Sequence, residues 1–90
     1  MLFEWDEAKA AENIRKHNIS FNDAVHVFED ENRLEYYDNR HSDQEDRYYT
    51  IGMTNHIIFV VYTERGERIR MISARYATSR ERRMYYDRDR

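Results

Sequence analysis

Hydrophobic and polar positions change period along the chain, and the changes predict two helices, four strands and a closing helix. Met1 to Trp5 alternates, with Phe3 and Trp5 on one side, as a short extended piece would. Asp6 then caps a helix over DEAKAAENIRKH, whose narrow apolar stripe through Ala8, Ala11 and Ile14 predicts that it lies on the body without being buried. Lys9, Asn13, Lys16 and His17 share its other face, a spacing that ordinarily marks solvated surface. Asn18 suits the left-handed backbone that ends a helix. Ser20-Phe21-Asn22-Asp23 has the form of a capping box, and Phe21, Ala24, Val25 and Phe28 give a second, core-facing helix ending between Glu29 and Asn32.

From Arg33 the period shortens. Arg33 to Asp38 reads as a strand, Asn39 to Asp46 as a polar loop, and Arg47 to Met53 as a second strand with Tyr49 and Ile51 on one face. Ile57 to Thr63 is almost continuously apolar, the mark of a central strand covered on both sides. Gly66 supplies a turn, and Arg68 to Ala74 pairs back. Simple alternation puts Arg68, Arg70, Ile72 and Ala74 on one face, and Ile69, Met71, Ser73 and Arg75 on the other. Thr78-Ser79-Arg80-Glu81 is a further capping box, opening a helix through Met84, Tyr85 and Tyr86. The expected fold class is α+β: two N-terminal helices, a four-stranded antiparallel sheet and a C-terminal helix, with the helices packed on one sheet face. Residues 1–90 fit one domain.

Charge changes this picture. The net charge of −3 hides an acidic body, with six Lys or Arg against thirteen Asp or Glu in residues 1–63. Residues 64–90 hold nine against five. Seven arginines fall between Tyr62 and Arg83, and each offers a planar fork of donors matched to phosphate or carboxylate oxygens. An anionic partner and a salt-bridged surface are the two readings of that run. The absence of cysteine excludes disulfides and thiolate chemistry, and the four scattered histidines lack ligand spacing, so neither metal nor cofactor is expected. No apolar run approaches the ~18 residues of a membrane span and no leader opens the chain, so a cytoplasmic protein without membrane contact is expected.

ISAR at 72–75 followed by A-T-x-x-E-R-R, together with FEWDEAKAAENIRKH near the start, resembles the BrnT-like toxins of bacterial type II toxin–antitoxin systems. FEWDEAKAAENIRKH at 3–17 resembles the family's opening, SFNDAVHVFED at 20–30 its second helix, and DNRHSDQEDRYYTIG at 38–52 its loop and strand. The most specific segment is VVYTERGERIRMISARYATSRERRMY at 60–85, with ISAR followed by A-T-x-x-E-R-R. Asn18 replaces the glycine usual after K-H, and Tyr85-Tyr86-Asp87 stands where a Tyr-Glu pair is more usual. The resemblance implies a RelE-like fold and a metal-independent endoribonuclease that inhibits translation. It also implies neutralisation by a cognate BrnA-like, ribbon-helix-helix antitoxin, with operator DNA bound only through the complex.

Metal-free RNA cleavage needs a base for the 2′-OH, cations for the phosphate and an acid for the leaving 5′ oxygen. With the resemblance in hand, Arg65 and Arg75 are the phosphate-contact candidates, and ordinary surface arginines are their alternative. Lys16 and His17 are the proton-transfer candidates, since histidine titrates near neutrality. Tyr76 is placed to stack on a base or donate a proton, with simple packing as its alternative. Lys9, Arg70 and Arg83 are the candidates for holding the RNA backbone. Glu81 is a base candidate that its capping box already explains, and the loop residues His41 and Ser42 stand out by resemblance. The competing function is a non-catalytic module that binds protein or RNA without turnover.

Overall fold

Residues 1–88 are described by the structure, a computed structural model; the last two residues of the expected domain lie outside the described residues. β1 (Leu2–Glu4), α1 (Glu7–His17), α2 (Phe21–Ala24) and a 3-10 turn (Val25–Glu29) precede the meander β2 (Leu34–Tyr37), β3 (Arg47–Met53), β4 (Ile57–Arg65) and β5 (Arg68–Tyr76). α3 (Ser79–Tyr86) closes the chain. The α+β class holds, but the sheet has five strands in the order β1-β5-β4-β3-β2 and is mixed. β1 is the correction: Leu2 to Glu4 pairs parallel with Arg68 to Arg70. Three residues carry too little periodicity to announce a strand. β4 is central, as its apolar run predicts.

Strand alternation gives the sheet two unlike faces. Ile58, Val60, Tyr62, Met71 and Ala74 form the covered face, packed against Phe21, Ala24, Val27 and Phe28 of α2 and its 3-10 extension. Ser20 caps α2 through the Asp23 N–H, Asn18 ends α1 at φ 58°, and Gly66 turns the β4–β5 hairpin at φ 61°. α3 lies on the opposite face, where Ala77 and Tyr85 pack on Ile51 and Ile57. The helices therefore do not share one face. Arg75 and the capping-box carboxylate of Glu81 hold α3 there through two hydrogen bonds of 2.8 and 3.0 Å.

Two local features decide which side chains reach that second face. A β-bulge at Ile72 shifts the register between Val61↔Ser73 and Tyr62↔Met71. The extra residue reverses the alternation. Met71 and Ala74 both enter the covered core, while Ser73 and Arg75 move to the open face beside Ile72. The partition expected from simple alternation is corrected there. Asn13 is the second correction, since it is buried, not solvated. β1 pairs only with residues 68–70, so the β5 edge beyond it is bare. The Asn13 amide fills the gap, donating to the Ala74 and Ile19 carbonyls (2.8 and 2.9 Å) and accepting from the Ala74 N–H (3.0 Å). A side chain stands in for a strand.

Gly52 lets the 3-10 turn close on β3, because a Cβ there would meet Val27 at 2.6 Å and Arg33 at 3.0 Å. Asp30, at the end of that turn, accepts from the Tyr85 hydroxyl (2.6 Å) and the Met53 N–H (2.7 Å), tying α3 to the opposite layer. Burial opposes ionisation of Asp30, but those donors hold its carboxyl below the ordinary range. Burial and Asp30 push the Tyr85 phenol up to about 12, so it stays a donor. No described helix is long and apolar enough to cross a membrane.

Candidate functional site

α3 covers only one end of its face. The remainder is a concavity of about 660 Å³ floored by β3, β4 and β5 and walled by α3 and the β2–β3 loop. Its floor is apolar and aromatic: Tyr49, Ile51, Phe59, Val61 and Ile72. Arg75 lies over the Phe59 ring at 4.1 Å, with its fork engaged by Glu81. Arg47 and Arg80 add two cations without an ion pair among the described residues. An aromatic floor under several guanidiniums is suited to a base face and its phosphate.

The β2–β3 loop brings the remaining chemistry. Ser42 stitches it, its hydroxyl donating to the Asp38 carbonyl (2.6 Å) and accepting from the Arg47 N–H (2.9 Å). The role of Ser42 is thereby structural. Asp46 accepts from the Tyr37 hydroxyl (2.9 Å), and its carbonyl from the Thr63 hydroxyl (2.6 Å). On this frame the Asp38 carboxylate sits 2.9 Å from His41 Nδ1. That contact engages Nδ1 and leaves Nε2 clear of Asp38, on a ring that lines the concavity. Burial would raise the Asp38 carboxyl, but His41 and the Arg40 N–H outweigh it and keep it ionised below the ordinary range. Glu81 behaves alike: Arg75 and the Thr78 N–H overcome its burial and lower it. Desolvation, with Tyr36, Asp38 and Glu81 nearby, raises the Tyr49 phenol and keeps it protonated.

Of the residues singled out in the sequence, Arg65 and Arg75 lie on this face, toward opposite ends of the β4–β5 ladder. A neighbouring concavity of about 510 Å³ is lined by Arg65, Glu45, His41 and Arg47, and it shares the last two with the first. Arg65 is held by Glu45 at 3.2 Å. Lys9, Lys16 and His17 are on α1, which covers the other face, and Lys16 pairs with Glu12 at 3.4 Å. Tyr76 stands edge-on to His56 at 5.5 Å and borders a concavity on the covered side. Arg70 makes a cross-strand ion pair with Glu4 (2.8 Å), and Arg83 is exposed on α3. Neither lines the two concavities, although register puts Arg70 on the side of Thr63 and Arg47.

Sequence reasoning passed over Arg47 and Asp38 as functional residues, and counted Arg80 only as one of the basic run. Arg47 had a usable signal, because it shares the parity of Tyr49 and Ile51 on β3. Asp38 had none, since its pairing with His41 depends on the loop's path. No group of three or more His, Asp or Glu side chains among the described residues is placed to hold a metal ion.

Comparison with known proteins agrees with this architecture. Residues 5–81 match the family described as the ribonuclease toxin BrnT of type II toxin–antitoxin systems. The chain is also similar to a solved structure, the Brucella abortus ribonuclease toxin BrnT, with 30% identity and a TM-score of 0.67. That alignment covers 88% of this chain and 100% of the other. No curated protein matches. With both the matched span and the aligned structure covering most of its length, the chain belongs to the BrnT family of type II toxin–antitoxin ribonuclease toxins.

Proposed function

We propose that this chain is an endoribonuclease toxin that cuts RNA laid across the open sheet face. In this reading it works without a metal on a RelE-like platform in the cytoplasm. Cleavage inhibits translation, and a ribbon-helix-helix antitoxin neutralises it. The carrying observation is Arg75, whose two terminal nitrogens hold the two oxygens of Glu81 above an aromatic ring. A phosphate presents the same pair of oxygens to the same fork. Arg47, Arg80 and Arg65 on the continuous surface supply the charge that would otherwise ask for a cation.

In the reaction, the 2′-OH attacks the adjacent phosphorus and the bond to the 5′ oxygen breaks, leaving a 2′,3′-cyclic phosphate and a 5′-OH end. Arginines neutralise the charge that builds on the phosphoryl oxygens. His41, oriented by Asp38, takes the 2′-OH proton, and in its charged form returns one to the leaving oxygen. This assigns to His41 the proton transfer expected of Lys16, His17 and Tyr76, which lie on the covered side of the sheet. The test is cleavage of a defined RNA oligonucleotide in EDTA. Product with a 5′-OH end, slowed about 10²-fold or more by His41→Ala, supports the reading. Abolition of cleavage by EDTA overturns its metal independence, and full activity of His41→Ala overturns the assignment of His41.

A further inference from the structure

The free edge of the sheet at β2 has chemistry opposite to that of the open face. β2 is the terminal strand, and the Asp38 N–H donates to the Arg47 carbonyl (2.8 Å) at the end of its ladder with β3. Antiparallel alternation then turns the backbone groups of Glu35 and Tyr37 outward, away from β3. The side chains of these two residues lean to the covered side. There they line a concavity of about 440 Å³ with Phe28, Tyr48, Tyr62 and Glu64.

The walls are aromatic and the rim is anionic. Tyr48 stacks on Tyr62 at 5.7 Å, and Tyr37 and Phe28 meet them edge-on at 5.6 and 5.0 Å. Glu35 accepts from the Tyr62 hydroxyl and from Arg33, both at 3.1 Å, while Glu64 has no ion pair among the described residues. Burial raises the Tyr48 phenol, and Asp46 and Glu64 raise it further, so the local potential is negative. Arg33 already rests over the Phe28 ring at 5.5 Å, so one wall carries a guanidinium within the chain itself. Aromatic faces beside carboxylates attract a cation. An open strand edge with two exposed tyrosines attracts an extended segment. RNA is disfavoured here, because Glu64 and Asp46 beside Tyr48 repel phosphate and Arg33 is already paired with Glu35.

We propose that an extended segment of the antitoxin adds to the outer edge of β2 and inserts a lysine or arginine between Tyr37, Tyr48 and Glu64. The proposal rests on the toxin–antitoxin reading above. Opposed residues in an antiparallel pair share a face, so a residue set against Glu35 or Tyr37 points into this concavity. Toxin neutralisation would then begin at a surface separate from the one that binds RNA.

Hydrogen exchange of the full-length toxin, alone and bound to the antitoxin encoded beside it, tests this directly. The Glu35 and Tyr37 amides are expected to exchange freely alone and to become protected in the complex. Glu64→Lys should weaken the complex at least tenfold, and Glu64→Gln by less, both cleaving free RNA at the wild-type rate. Protection confined to Arg47, Arg75 and α3, or wild-type affinity for Glu64→Lys, overturns the proposal. Edge amides already protected in a toxin dimer would name a second copy as the occupant and overturn it too. Protection of the β2 edge in a complex whose free toxin cuts no RNA would support the docking and sink the activity reading instead.

Discussion

The two faces of the sheet are made by the same strands yet meet different demands. On the covered face the central side chains are roofed by α2 and its 3-10 extension: Met71, Val60 and Tyr62 pack on Phe21, Val27 and Phe28. The other face has one short helix, and beyond it Tyr49, Phe59, Val61 and Ile72 floor a concavity instead of a core. The first face holds the larger core, and the proposed chemistry belongs to the second. The bulge at Ile72 joins them, because it sends Ala74 inward and Arg75 outward where simple alternation would do the reverse.

Substitutions on the two faces should therefore separate activity from stability. The largest expected effect is on the open face. Arg75→Ala should lower RNA cleavage by about 10²–10³-fold, with Arg75→Lys recovering little because it lacks the fork. Steady-state cleavage by the folded variants checks it. On the covered side Asn13→Ala should cost about 2–4 kcal/mol by stranding the buried Ala74 groups, with cleavage per folded molecule unchanged. Urea unfolding measures that cost. Gly52→Ala should cost about 1–3 kcal/mol, since its Cβ collides with Val27 across the packed layer. A repeat of the urea titration would contradict the packing account if the variant were as stable as wild type.

The smallest effect is on acid stability, and it belongs to the contacts that hold α3. Glu81 and Asp30 both have carboxyls lowered in the folded state, so the unfolded chain binds their protons more readily. Their contribution is present above the unperturbed carboxylate range, about 4, and is lost as pH falls through the lower folded values. Thermal melts should show a midpoint falling in acid, and Glu81→Gln should flatten that fall. A variant melt that tracks wild type at every pH would remove Glu81 from the account.

Most of this architecture was readable where a signal is local. The caps at Asp6, Ser20 and Thr78, the left-handed Asn18 and the turn at Gly66 each depend on a few adjacent residues, and each stands as expected. The apolar run of β4 announced the sheet's centre. What was hidden depended on distant partners. β1 exists because β5 offers it an edge, and Asn13 is buried because β1 stops short of Ala74. The bulge carries no glycine or proline to mark it, so Arg75 was grouped with Met71 although the two point to opposite faces. The pairing of Asp38 with His41 needed the loop's path, which Ser42, Tyr37 and Thr63 together determine.

The central claim is that RNA lies on the open face. Backbone and side-chain NMR of the toxin, titrated with an RNA oligonucleotide blocked at every 2′ position, addresses it most directly. Tyr49, Phe59, Arg75, Arg80 and His41 should shift while Asn13, His17 and Tyr76 stay in place. Shifts concentrated on α1 and Tyr76, with the open face silent, would contradict the account.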